Sequence, residues 1–296
     1  MAQLPPEIWA HVLSNMHPTG NDLFSLTLVS KLLKSEAERV IFHTVILPSF
    51  GTLGTSAMLE RIHAPGPIAS YIHRLELRHG IEPITWGVSY ERIISGIQHM
   101  SNLREMQFNE IQDPPSGFLG QLAENVTFRL QVLDTSVSFS GLERFLRLQT
   151  SLQTLKWTTG ERYTASMDMA PPFSRRELPS LRTLAVEYSE NVSAFLPQCS
   201  VSRLQIANLD LNTKMEVMQS VVSLQINVWA IVTSHSPIES LARVFPNVLF
   251  LDLIWSHDLV SCFRTLNPQA LFRLMCVMKT SQNSLHRRIS KLSVLF

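Results

Sequence analysis

Along the first fifty residues the apolar positions recur at helical spacing. Ile8, Val12 and Met16 stand four apart with Trp9 and Leu13 on the adjoining line, which predicts a helix with a broad apolar stripe. Pro5 and Pro6 suit its first turn, where a missing N–H costs nothing, and Glu7 complements the dipole. His17-Pro18-Thr19-Gly20 ends it. Asn21 or Asp22 can cap a second helix, with Leu23, Leu26 and Leu33 on one side and Phe24, Leu28 and Val29 on the other. Ser30, or Ser35 with Glu38 as a capping box, opens a third helix carrying Ala37, Val40, Ile41 and Phe42. "HTVIL", residues 43–47, reads as a short strand. A helix apolar nearly all round has to be buried on both faces, so one face packs within the trio and the other meets the rest of the chain or a second protein.

Further on the pattern changes from period 3.6 to period 2 and back. "YIHRLELR", "LREMQFN", "LQVLDTS", "LQTLKWT", "LRTLAVE", "SRLQIAN", "SLQINVW" and "NVLFLDLIW" each place one apolar residue and another two positions later. The first of each pair falls at Leu75, Met106, Leu133, Leu155, Leu184, Leu204, Leu224 and Leu251, at gaps of 31, 27, 22, 29, 20, 20 and 27 residues. Such a period, with a Leu-x-x-Leu-x-Leu core, is the signature of leucine-rich repeats, here irregular and without the usual Asn. Between the phrases, "VSYERIISGIQHM", "GFLGQLAENV", "GLERFLRL", "NVSAFLPQC", "SPIESLARVF" and "HDLVSCFRTL" have helical spacing. Stacked units of helix and strand predict parallel strands along one face and helices along the other. The tail from Leu271 predicts one more helix and strand; it finishes on "LSVLF" without a polar cap, so the chain is either truncated or capped by something else.

Composition narrows the function classes. The chain has 296 residues, 45% hydrophobic and 17% charged, enough for a sizeable core. The net charge of +1 gives no overall field to draw it onto nucleic acid or an anionic membrane. The cysteines, Cys199, Cys262 and Cys276, form neither a disulfide framework nor a zinc set and fit a reducing compartment, cytoplasm or nucleus. For the same reason the sequons at Asn125 and Asn191 carry little weight. No signal peptide and no apolar run long enough to span a bilayer is seen. "GTLG" at 51–54 lacks what a nucleotide loop needs, no nucleophile elbow or His-Glu-x-x-His occurs, and His73 and His79 have no partners at ligand spacing. "HRRISK" reads as a solvated helix face. The expectation is a chain without catalytic residues, metal or cofactor.

The stretch "LPPEIWAHVLSNM…DLFSLTLVSKLLKSEAERVIFHTV" resembles an F-box of the kind common in fungal proteins, over residues 4–46. It carries Leu-Pro, Glu-Ile, Asp-Leu and Val-Ser-Lys at the family's spacing, with Leu33 where the family often has Trp. The resemblance implies a three-helix module that binds a Skp-type adaptor and, through it, a cullin, making the chain the substrate receptor of a ubiquitin ligase. Carried over by position, the adaptor-contacting set is Leu4, Pro5, Ile8, Leu13, Leu26, Val29, Ser30 and Phe42. The reacting groups of such a ligase sit on other subunits, which agrees with the lack of catalytic motifs.

The expected architecture is therefore α/β: an F-box at 1–47, a connecting segment at 48–70 with a short helix around Ser56 to His63, and a leucine-rich-repeat-like solenoid at 71–296. Strand alternation turns Glu76, Arg78, Gln107, Asn109, Lys156, Thr158, Glu187 and Asp252 outward as candidate target-binding residues, alongside Asp134, Ser136, Gln205, Gln225 and Asn227. That face is mixed in charge and poor in aromatics, so it does not favour a target of one strong charge. Two other readings stay open: a repeat scaffold working outside ubiquitin transfer, and an enzyme with an unrecognised site. The sequence names no target.

Overall fold

The computed structural model describes residues 5–15, 23, 25–47, 53–78, 90–109, 118–137, 139–158, 173, 176–196, 198–209, 217–227 and 237–254. They fall into two compact units, Met1–Gln149 and Thr150–Phe296. Nine strands occur among the described residues, and within each unit neighbours in sequence pair in parallel.

The first unit begins with α1 (Pro6–Asn15) and α2 (Lys31–Ile41), with Leu23, Ser25 and Leu26 helical between them. Leu13, Leu23 and Ala37 form a buried core against which Leu26, Val40 and Ile41 pack. Ser30 is the N-cap of α2: its backbone is extended and its hydroxyl accepts the Leu33 N–H at 3.2 Å. The alternative start at Ser35 is thereby set aside, since Ser35 lies inside the helix. Two residues after α2 the chain enters β1 (Thr44–Leu47). There follow α3 (Leu53–His63), α4 (Ile68–Tyr71), β2 (Arg74–Arg78), α5 (Tyr90–His99), β3 (Glu105–Asn109), α6 (Phe118–Glu124), β4 (Val132–Thr135) and α7 (Phe139–Arg147).

Val45, Leu75, Met106 and Leu133 share one rung of the sheet, so the repeated phrases of the sequence are equivalent in register. Each strand is hooked to the one before it by a shared carbonyl. The His43 carbonyl accepts from the N–H groups of His73 and Arg74, that of His73 from Arg104 and Glu105, and that of Arg104 from Gln131 and Val132. The inward face buries Leu75, Leu77, Met106, Phe108 and Leu133, and the helices contribute Ile93, Ile97, Leu119, Leu122, Leu142 and Phe145. β1, placed by sequence with the N-terminal module, is in fact the first rung of this sheet. Its Val45 and Leu47 continue the apolar row that Leu75 and Leu77 carry.

The second unit holds β5 (Thr154–Trp157), β6 (Thr183–Tyr188), β7 (Arg203–Asn208), β8 (Ser223–Asn227), α8 (Pro237–Val244) and β9 (Phe250–Ile254). Leu155, Leu184, Leu204, Leu224 and Leu251 again share a rung. "NVSAFLPQC" is not an α-helix: Ser189–Ala194 form a 3₁₀ turn. This is one of the short 20-residue intervals, and a 3₁₀ turn covers more distance per residue than an α-helix. Beneath it, Phe195 stacks on Phe173 with ring centres 5.0 Å apart and meets the edge of Trp157 at 6.2 Å. Asn191, in one of the two sequons, is fully buried. The helix expected at "HDLVSCFRTL" and the helix and strand expected from Leu271 lie outside the described residues.

Candidate functional site

Two surfaces come out of this architecture, one at the N-terminal helices and one on the outward face of the sheet strands. The first arises because the small core of Leu13, Leu23 and Ala37 uses only one side of the apolar stripe. On the other side Ile8 is 47% exposed and Val12, one turn further along α1, 37%. Leu28 and Val29 sit in the turn before α2, 87% and 67% exposed. That turn is held tight: the Leu28 N–H donates to the Ser25 carbonyl at 3.1 Å, the Val29 N–H to that of Leu26 at 3.2 Å, and Ser30 then starts the next helix. Two large apolar side chains are thus fixed in solvent by backbone bonds, an arrangement that costs free energy unless something covers them.

The sequence-expected adaptor set divides on inspection. Pro5, Ile8 and Val29 are exposed, and Leu26 is half-buried. Leu13 and Phe42 are buried and in the free chain offer no contact area. Phe42 lies under the Arg61 guanidinium, 4.9 Å from its ring centre, and Arg61 also reaches Glu38 at 3.7 Å. Ser30 is exposed, with its hydroxyl committed to the cap. Leu4 lies outside the described residues. Val12 and Leu28 were absent from that set although both are open. Val12 lies in the same row as Ile8, and Leu28 beside Val29, so spacing alone does not separate them from core positions.

The outward sheet face carries side-chain ladders. In the first unit Arg74 Nη2 donates to Gln107 Oε1 at 3.3 Å, and Gln107 Nε2 donates to Asp134 Oδ2 at 3.3 Å. Arg74 also pairs with Glu105 at 3.8 Å. In the second unit Gln205 Nε2 donates to Gln225 Oε1, and Gln225 Nε2 donates to Asp252 Oδ2 at 2.6 Å. In each ladder a glutamine passes one bond across to an aspartate on the next strand, which fixes the rotamers of the face. Lys156, Thr158 and Asp252 are exposed and Glu187 and Gln107 half-buried. Glu76 departs from the expectation: on the outward side of β2, it is only 6% exposed and does not face open solvent. The side chains of Arg78, Asn109 and Asn227 lie outside the described residues. Exposed Phe250 shares a rung with Ser223, and it adds an aromatic that the strand alternation should have flagged beside Asp252.

Among the described residues no group of three or more His, Cys, Asp or Glu could hold a metal ion, and no helix is long and apolar enough to cross a membrane. A family model described as F-box domain matches residues 1–44, which contain Ile8, Val12, Leu28 and Val29. No curated protein matches the chain.

Proposed function

We propose that the chain is the substrate-recognition subunit of a Skp-cullin-F-box ubiquitin ligase. The observation that carries this reading is the coincidence of the F-box match with Ile8, Val12, Leu28 and Val29, large apolar side chains standing in solvent outside the core of Leu13, Leu23 and Ala37. They form the contact to a Skp-type adaptor, with Pro5 and half-buried Leu26 at its margin, and Leu13 and Phe42 hold the module's shape. The cullin is reached only through the adaptor. The remaining chain is an irregular leucine-rich-repeat solenoid, supported by the equivalent rungs at gaps of 20–31 residues. The outward strand faces select a target protein, through Gln107 in the first unit and through Lys156, Thr158, Glu187 and Asp252 in the second, and the sequence pattern adds Arg78 and Asn109 as candidates. The subunit is non-catalytic and works by raising the local concentration of target beside the conjugating machinery, in the cytoplasm or nucleus.

Co-expression tests this. The full chain and a Skp-type adaptor should co-purify as a stoichiometric complex, and Ile8→Asp should abolish it while leaving the chain folded. An adaptor that does not bind the folded wild-type chain removes the ligase reading and leaves a repeat scaffold acting outside ubiquitin transfer.

A further inference from the structure

Two histidines 36 residues apart in sequence meet where α3 and α5 end. His63 and His99 are the last residues of those helices, and each ring folds back on its own helix. Nδ1 of His63 lies 2.7 Å from the Leu59 carbonyl, and Nδ1 of His99 lies 2.6 Å from the Ser95 carbonyl. A carbonyl oxygen only accepts, so both Nδ1 atoms carry the proton. In each neutral ring Nε2 is then left as the lone-pair atom. Fixing the tautomer through a backbone carbonyl is the support that metal-ligating imidazoles ordinarily have.

The ring centres are 5.5 Å apart and the planes inclined by 57°. With metal–nitrogen bonds of about 2.0–2.1 Å, two imidazoles sharing one ion at a tetrahedral angle have centres roughly 5 Å apart. Gly96 lies beside His63: a Cβ there would sit 3.3 Å from His63 Cε1 and 3.1 Å from Leu59 Cδ2, so these side chains would have to give by a few tenths of an ångström. Glu60, one turn before His63, is engaged with Arg92 at 3.8 Å. No third His, Cys, Asp or Glu joins the pair among the described residues.

We infer that His63 and His99 form a two-imidazole site for a divalent transition-metal ion, clamping the end of α3 to the end of α5. The ligand chemistry, two neutral nitrogens with the remaining positions open to water, suits Cu²⁺, Ni²⁺ or Zn²⁺ and excludes Mg²⁺ and Ca²⁺, which take oxygen. Two protein ligands give a reversible site, one that responds to metal concentration.

The test uses the purified full chain titrated with Cu²⁺, read by electron paramagnetic resonance and calorimetry. One equivalent of ion should show coupling to two nitrogens, and His63→Gln and His99→Gln should each weaken binding by roughly tenfold or more. The double variant should lose this class of binding altogether. Unchanged affinity in the double variant, or coupling to a single nitrogen in the wild type, overturns the site. His99 is exposed, so His99→Gln keeps the experiment decisive if the variant at half-buried His63 fails to fold, a point circular dichroism settles.

Discussion

Replacing Val29 by aspartate should uncouple adaptor binding from folding, because Val29 contributes surface and almost no core. Across Ile8, Val12, Leu28 and Val29 the exposed fractions amount to somewhat more than two complete side chains. At about 1.5–3 kcal/mol for each large apolar side chain fully buried, covering all four is worth about 4–7 kcal/mol. Val29, two-thirds exposed, accounts for about 1–2 kcal/mol of this. Val29→Ser removes only that apolar term, so the dissociation constant should rise about 5- to 30-fold at about 1.4 kcal/mol per decade. Val29→Asp adds the cost of stripping water from a carboxylate with no partner, several kcal/mol, and so weakens binding by at least about 100-fold. In the free chain the same carboxylate stays in water beside the N-terminus of α2, where the helix dipole favours it. The unfolding midpoint should therefore be unchanged within the effect of about 0.5 kcal/mol usual for surface substitutions. Biolayer interferometry of wild type, Val29→Ser and Val29→Asp against a Skp-type adaptor, with thermal unfolding of each alone, reads both quantities. Equal affinity, within about threefold, for wild type and a folded Val29→Asp would refute the assignment of this surface.

Leu13→Ala should do the reverse, costing about 2–5 kcal/mol in urea unfolding because Leu13 is buried against Leu23 and Ala37. Ser30→Ala removes the side-chain cap of α2 and should lower stability by about 1 kcal/mol, read by the same assay. The pKa of His73 is held below its ordinary value by burial first, then by the charges of His43, Arg104 and Arg39. His43 also stacks on it at 4.8 Å. The unfolded chain then takes up the proton first, so stability should begin to fall as the pH drops below about 6.5 and stop falling below the folded pKa. His73→Gln should flatten that part of a chemical-denaturation pH series. Burial pushes the Cys199 thiol up to about 11, so iodoacetamide at pH 8 should leave this site unmodified in the folded chain and label it on unfolding, as peptide mapping will show.

The legible part of the fold was the part that repeats. A Leu-x-Leu pair on a parallel strand can occupy only one face, so Leu75, Met106 and Leu133 in the first unit, and Leu155, Leu184, Leu204, Leu224 and Leu251 in the second, could be aligned from the sequence, and within each unit their registers agree. Length of interval was a weaker guide: the 20-residue unit after β6 has room for a 3₁₀ turn where periodicity suggested an α-helix. At the N-terminal module, Ile8, Val12 and Leu13 belong to one apolar stripe, and which of them is covered depends on how deeply Leu23 and Ala37 enter from other segments. Spacing along a single helix does not contain that information. The same holds for Glu76, which alternation sends outward but which is nonetheless covered, and for His63 and His99, whose proximity is created by α3 packing on α5 at Gly96.

The sequence also suggested a boundary, with a connecting segment after residue 47, and the packing of the first unit argues against treating that segment as a loose tether. α2 carries the capped end of the exposed turn at Ser30 and passes through Phe42 and His43 into β1, the first rung of the sheet. Side contacts brace this path from both sides. Arg61 of α3 covers Phe42 and reaches Glu38, and the Ser35 and Tyr71 hydroxyls lie 3.4 Å apart between α2 and α4. Bending at residues 42–43 would have to strip the two hydrogen bonds on the His43 carbonyl, at about 1 kcal/mol each, as well as the Arg61 contacts to Phe42 and Glu38. On the proposed reading, Val29 and the Arg74–Gln107–Asp134 ladder therefore move together, and a target held on the first unit's strands meets the adaptor at a set distance. Fixed geometry of this kind converts a tethered encounter into an oriented one, which is where a non-catalytic receptor can still contribute to rate.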